Sequence, residues 1–139
     1  FRGEKADLTV SKDWGRPVLH FADQTIFIAD ESIDLARPLA QRLRSIAKAE
    51  LPKKVATLAH RFGLEYLNVS IRDQKTRWGS CSSTGRISLN WRLVMTPPAV
   101  SEYILMHELM HLKEMNHSHA FWRLVRDVCP DYKTHERWL

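Results

Sequence analysis

His107, Glu108 and His111 stand in the order H-E-x-x-H, and a third histidine, His117, follows six positions after the second. On a helix, residues four apart lie one above the other, so His107 and His111 point two imidazoles at one ion. Glu108 is the next residue round the wheel, where its carboxylate reaches a water on that ion rather than the ion itself. Two helix ligands, a general base between them and a third ligand from beyond the helix make the arrangement of zinc hydrolases. Five-residue patterns also arise by chance, and the competing reading is a helix whose histidines are satisfied by ordinary hydrogen bonds. That reading leaves Glu108 in a strongly apolar run, after Tyr103-Ile104-Leu105-Met106, with no role for its charge.

A helix must carry this motif, and the sequence supplies one. Thr96-Pro97-Pro98 offers a cap and a first-turn proline, so the active helix is expected from about Ala99 to Glu114. Leu105, Leu109 and Leu112 fall roughly opposite His107, so one side packs in a core and the other faces a cleft. Asn116 is suited to a left-handed C-terminal conformation that turns His117 back toward the ion. Ser118 then caps another helix, with Phe121, Val125 and Val128 as its apolar stripe and Pro130 as its end. Asp131 to Leu139 reads as a short tail.

The elements before the motif follow from periodicity. Residues 1 to about 30 are β-rich: Asp7–Val10, Pro17–Phe21 and Thr25–Ile28 carry β-branched and aromatic residues, and His20 is expected to pack within its strand. Asp30-Glu31-Ser32 marks a break. From about Asp34 the spacing is helical, with Leu35, Leu39, Leu43, Ile46 and Ala47 on one face, until Leu51-Pro52 kinks the helix or opens a second. Val55, Leu58, Ala59 and Phe62 continue the stripe to a stop at Gly63. Tyr66–Arg72 reads as a strand and Lys75–Gly85 as a polar loop holding Trp78. Arg86–Leu93 alternates, so Ile87, Leu89, Trp91 and Leu93 share a buried face.

Composition sets the frame. The 139 residues suffice for one domain spanning 1–139, with a β-rich part at 1–30, a helical part at 34–63 and a catalytic core at 66–139. No run of about 18 apolar residues is present, so no membrane span is expected. Cys81 and Cys129 are too few for a disulfide framework and lack CxxC spacing. They are expected as buried thiols in a reduced, cytoplasmic setting. The net charge of +5 is concentrated in Arg37, Arg42, Arg44, Lys48, Lys53, Lys54 and Arg61, then Arg72, Lys75, Arg77, Arg86 and Arg92. A basic face can meet nucleic acid or nucleotide, but no nucleic-acid-binding motif accompanies it, which favours a solvated face.

Several motifs stand in one order: Arg77-Trp78-Gly79-Ser80-Cys81, Leu89-Asn90-Trp91-Arg92-Leu93, His107 to Leu112, Asn116-His117-Ser118 with Phe121-Trp122, and Pro130-Asp131-Tyr132-Lys133. In this the chain resembles the YgjP-like metallopeptidase family, which is similar to the SprT-like and WLM proteases. The resemblance runs through about residues 62 to 139, and more weakly through Phe1-Arg2-Gly3-Glu4. It implies an α+β, minimal zincin-like fold, a protein or peptide substrate, Zn2+ as cofactor, His107, His111 and His117 as ligands, and Glu108 as catalytic acid/base. His117 precedes Phe121 by four positions, as in the related proteases; His119 is the rival third ligand. Glu114 stands where metzincins carry their turn glycine, and no methionine turn follows. The resemblance also gives the strand region Gly85–Leu93 a place along the cleft, with Trp78–Cys81 near one end. Two other functions remain open: a phosphoester or nucleotide hydrolase using Lys75, Arg77, Arg86 and Arg92, and a nucleic-acid-binding module with structural zinc.

Overall fold

The computed structural model describes every residue except Ser32, so the expected break at Asp30–Ser32 lies partly outside the described residues. The chain opens with an antiparallel meander of β1 (Thr9–Asp13), β2 (Arg16–Phe21) and β3 (Gln24–Phe27). The first strand starts later than Asp7 and reaches Asp13, because Trp14 and Gly15 both take positive φ, 50° and 75°. Two such residues form the hairpin turn whose twist matches its strands. β2 is central and brings Val18, Leu19 and Phe21 into the interior. His20 packs within the meander as expected, 2.8 Å from Ser11 Oγ.

α1 (Ala36–Phe62) is one helix that runs through Pro52 rather than two. An interior proline costs about 3 kcal/mol relative to alanine. Leu51 and Val55, at 1% and 0% exposure on either side of it, each recover about 1.5–3 kcal/mol by burial. The stripe Leu43, Ala47, Leu51, Val55, Leu58 and Ala59 is therefore continuous. The helix stops where Gly63 turns left-handed (φ 64°). Gly63 and Leu64 then donate to the carbonyls of His60 and Ala59, a Schellman ending.

A second sheet follows. β4 (Asn68–Arg72), β5 (Gly79–Cys81) and β6 (Arg86–Asn90) lie in the order β4-β6-β5, with β4 parallel and β5 antiparallel to β6. β5 lies inside the segment expected to be a loop. β6 ends at Asn90, short of the expected Leu93. The Asn90 amide donates to the carbonyls of Gln74 (2.7 Å) and Arg77 (2.9 Å), and its oxygen accepts from the Arg92 N–H. This turns Trp91–Met95 into a 3₁₀ helix that still buries Trp91, Leu93 and Val94. Ile87, Leu89, Trp91 and Leu93 are all buried as expected, the last two by a helical turn rather than a strand.

α2 (Pro98–Met110) carries the motif. Thr96 does not cap it: its hydroxyl donates back to the Leu93 carbonyl at 2.8 Å, and Pro97 takes the cap position. From Tyr103 to Met110 every residue except His107 is buried, so α2 is a central helix rather than one with a solvated face. α3 (His119–Val128) begins at Ser118, whose hydroxyl accepts from the Phe121 N–H at 3.3 Å. The expected tail holds a further helix, α4 (Tyr132–Trp138). Among the described residues no helix is long and apolar enough to cross a membrane.

Candidate metal centre

α2 ends two turns after Tyr103, at Met110, four residues earlier than the spacing suggests. Beyond it the N–H groups of His111, Leu112 and Lys113 reach back three residues, to Glu108, Leu109 and Met110. This tightened ending carries the chain round toward His117. Asn116 does not take a left-handed conformation, because the reversal is completed by the turns before it.

The three histidines converge. The Nε2 atoms of His111 and His117 are 3.1 Å apart, and those of His117 and His107 are 3.3 Å apart. One ligand atom from each lies within 4.8 Å of the others. Metal–nitrogen bonds of about 2.05 Å at tetrahedral angles place nitrogens about 3.3 Å apart. The triangle therefore fits one four-coordinate ion with a vertex left over. His119, the rival, stands exposed in the first turn of α3 and outside this cluster. Glu114 contributes its backbone: its carbonyl lies 3.0 Å from His111 Nδ1 and directs His111 Nε2 toward the cluster.

Aromatic side chains set the rings. Phe121 stacks on His111 (centroids 4.3 Å apart) and makes a T-shaped contact with His107 at 4.9 Å, while Trp122 stacks on His117 at 5.8 Å. The Tyr103 hydroxyl lies 3.4 Å from His107 Nδ1. Burial, then the Glu136 carboxylate, push that hydroxyl well above the usual phenol range, so it keeps its proton. Burial lowers the His107 pKa to about 4, with His111 and His117 adding to the effect. Burial also lowers His111. Neutral imidazoles are the form that binds a metal.

Glu108 is 6% exposed at the floor of a cleft of about 300 Å³, lined by Arg77, β5 and the three histidines. Burial pushes its carboxyl up to about 7, against a smaller downward pull from Arg77. A carboxylate poised there suits proton transfer near neutral pH. Gly79 makes room for it. A Cβ at that position would stand 3.0 Å from Glu108 Cγ and 3.2 Å from both its Oε1 and the Ser88 carbonyl.

The cleft wall differs from the expected one. β6 lies between β4 and β5 and has no free edge, so the Gly85–Leu93 region cannot offer pairing to an extended chain. The outer strand on the cleft side is β5, and its three residues line the cleft. Cys129 is buried as expected, but Cys81 is only half-buried and faces the site. The sequence reading missed Tyr103, although its spacing of four from His107 marks it as a neighbour on the same helix face. A larger groove of about 420 Å³, carrying the expected basic residues Lys53, Lys54 and Arg61, lies against α2 near Glu102 and away from the histidines.

The model of the YgjP-like family, metallopeptidase domain, matches residues 2–139. Among solved structures, the chain is similar to the metallopeptidase zymogen abylysin of Pyrococcus abyssi. Identity is 31% and the TM-score 0.55, over 61% of this chain and 87% of that one. The metallopeptidase zymogen jannalysin of Methanocaldococcus jannaschii shares the fold, with 24% identity and a TM-score of 0.51 over 63% of this chain and 95% of that one. Among curated proteins nothing matches.

Proposed function

Because the chain belongs to the YgjP-like metallopeptidase family, we propose that it is a zinc-dependent peptidase in which His107, His111 and His117 hold the ion and Glu108 moves the proton. The observation that carries this reading is the convergence of three imidazoles, with His117 Nε2 at 3.1 and 3.3 Å from the other two, set beside a buried carboxylate. Zinc on three neutral imidazoles keeps its full charge, and so supplies Lewis-acid polarisation of a carbonyl and acidification of a water.

The chain's own residues do the rest. Glu108 accepts the proton of the attacking water and passes it to the leaving amine. Gly79 leaves the space this carboxylate occupies. The Glu114 carbonyl, which can only accept, fixes the His111 tautomer, and the Tyr103 hydroxyl holds the Nδ1 side of His107. β5, as an outer strand of its sheet, presents backbone groups on which an extended peptide can pair. Arg77 places a positive charge at the same cleft.

The test is turnover of an unfolded protein by the zinc-loaded chain, beside Glu108→Gln and beside an arm with nucleoside triphosphate. The expected result is peptide cleavage by the native chain and a loss of about 10²–10⁴-fold in Glu108→Gln at equal zinc content. Phosphate release that requires Glu108, without peptide cleavage, would overturn the proposal.

A further inference from the structure

A second cluster of metal-binding side chains lies outside the cleft. Cys129 ends α3, Asp131 precedes α4, and His135 follows one turn into α4. The turn joining them is fixed by backbone bonds. The Cys129 N–H donates to the Val125 carbonyl at 2.8 Å, and the Tyr132 N–H donates to the Cys129 carbonyl at 3.1 Å. Asp131, at the N-cap of α4, and His135 are four apart, so the two side chains meet on one side of the first turn. Cys129 Sγ lies 3.4 Å from one Asp131 oxygen, and His135 Nε2 lies 3.2 Å from the other. One ligand atom from each of the three falls within 4.8 Å of the others.

We propose that Cys129, Asp131 and His135 form a second metal site, for a thiophilic divalent cation such as Zn2+, separate from the three-histidine centre. The three donor atoms lie within 4.8 Å of one another, so rotation of the exposed Asp131 carboxylate and its neighbours brings them to the roughly 3.3–3.8 Å that donors of a four-coordinate ion keep. A thiolate, an imidazole and a carboxylate select zinc or cobalt over calcium or magnesium, which prefer all-oxygen sites. The donors are unequally mobile. Cys129 is 5% exposed, and the His135 ring is tilted against Tyr103 with centroids 6.0 Å apart. Asp131 is exposed and leaves the remaining coordination position to solvent. Tyr103 is also the residue whose hydroxyl faces His107, so the two sites share one aromatic wall.

The test is a Co2+ titration of the full chain. Thiolate ligation gives a charge-transfer absorption in the near ultraviolet, and the three-histidine centre contains no thiolate. The band should reach its maximum by two equivalents, one for each site, in the native chain and in Cys81→Ala, and be absent in Cys129→Ser. The exposed Asp131→Asn should keep its fold and bind at the band-forming site about tenfold or more weakly, since even outer partners of ligands contribute that much. His135→Ala should weaken it likewise. A folded native chain with no band would overturn the proposal. So would a band that survives Cys129→Ser, one that disappears in Cys81→Ala, or one whose affinity Asp131→Asn leaves unchanged. This last variant decides the matter if Cys129→Ser does not fold.

Discussion

Gly79→Ala probes how tightly the proposed base is held. Gly79 does not have a positive φ, so an alanine backbone is accommodated there without strain. The space is what is missing. The new methyl would stand 3.0 Å from Glu108 Cγ and 3.2 Å from the Ser88 carbonyl of the paired strand. Carbon atoms rest at about 3.5–4.0 Å, so Glu108 must retreat by a few tenths of an ångström. The Ser88 carbonyl lies on the central strand and yields less than a side chain does. A misplacement of about 1 Å costs on the order of 100-fold in rate. The expected loss in kcat/KM is therefore about 10–100-fold, or ~1.4–2.7 kcal/mol of transition-state stabilisation. Overpacking costs about 1–3 kcal/mol of stability, partly offset by ~0.4–1 kcal/mol from the stiffer unfolded chain. The assay pairs kcat/KM on an unfolded protein substrate with zinc content and thermal unfolding. Zinc content should stay at the native value, because no ligand is touched. Undiminished kcat/KM in a variant with native zinc content would refute the placement of Glu108 against β5.

Three further outcomes follow from the same geometry. Tyr103→Phe removes the hydroxyl 3.4 Å from His107 Nδ1 and should weaken zinc binding at the three-histidine centre about tenfold or more, read by competition with a chelator of known affinity. Ser118→Ala removes the cap of α3, the helix that supplies Phe121 and Trp122, and should cost about 1 kcal/mol in urea unfolding. Arg92, donating to Asp73 at 2.6 Å, holds the Asp73 carboxyl below its ordinary 3.8, with Arg44 adding to the effect. A carboxyl depressed in the folded state stabilises it above the unfolded value and loses that contribution as pH falls through the folded one. The stability gap between the native chain and Asp73→Asn should therefore be constant above about pH 4.5 and close as pH drops below 3.8, in urea unfolding across that range. It should be small, because the pair is exposed.

What the sequence made legible was whatever a local pattern encodes. H-E-x-x-H with His117 identified three side chains whose nitrogens do converge, and Ser118 announced the start of α3 through its capping role. Non-local choices were hidden. Gly79-Ser80-Cys81 has no residues that favour strands, and becomes β5 only because β6 offers it an edge. The parallel pairing of β4 with β6 leaves no local mark at all. Alternation implied that β6 runs to Leu93, but the Asn90 side chain bends the chain three residues earlier, by hydrogen bonds to a loop 13 and 16 residues away. Pro52 reads locally as a break and is overridden by burial on both sides of it. Tyr132–Trp138 is too short and too polar to show a helical period, so α4 and the cluster it completes with Cys129 came only from the fold.

The central claim is that one zinc ion sits among His107, His111 and His117, beside Glu108. Anomalous diffraction at the zinc edge, from crystals of the zinc-loaded chain, locates that ion directly. The account predicts a peak about 2.0–2.1 Å from the Nε2 atoms of all three histidines, with Glu108 outside the coordination sphere. A peak ligated by His119 in place of His117, or one that recruits Glu108 as a ligand and closes the fourth position, would contradict it.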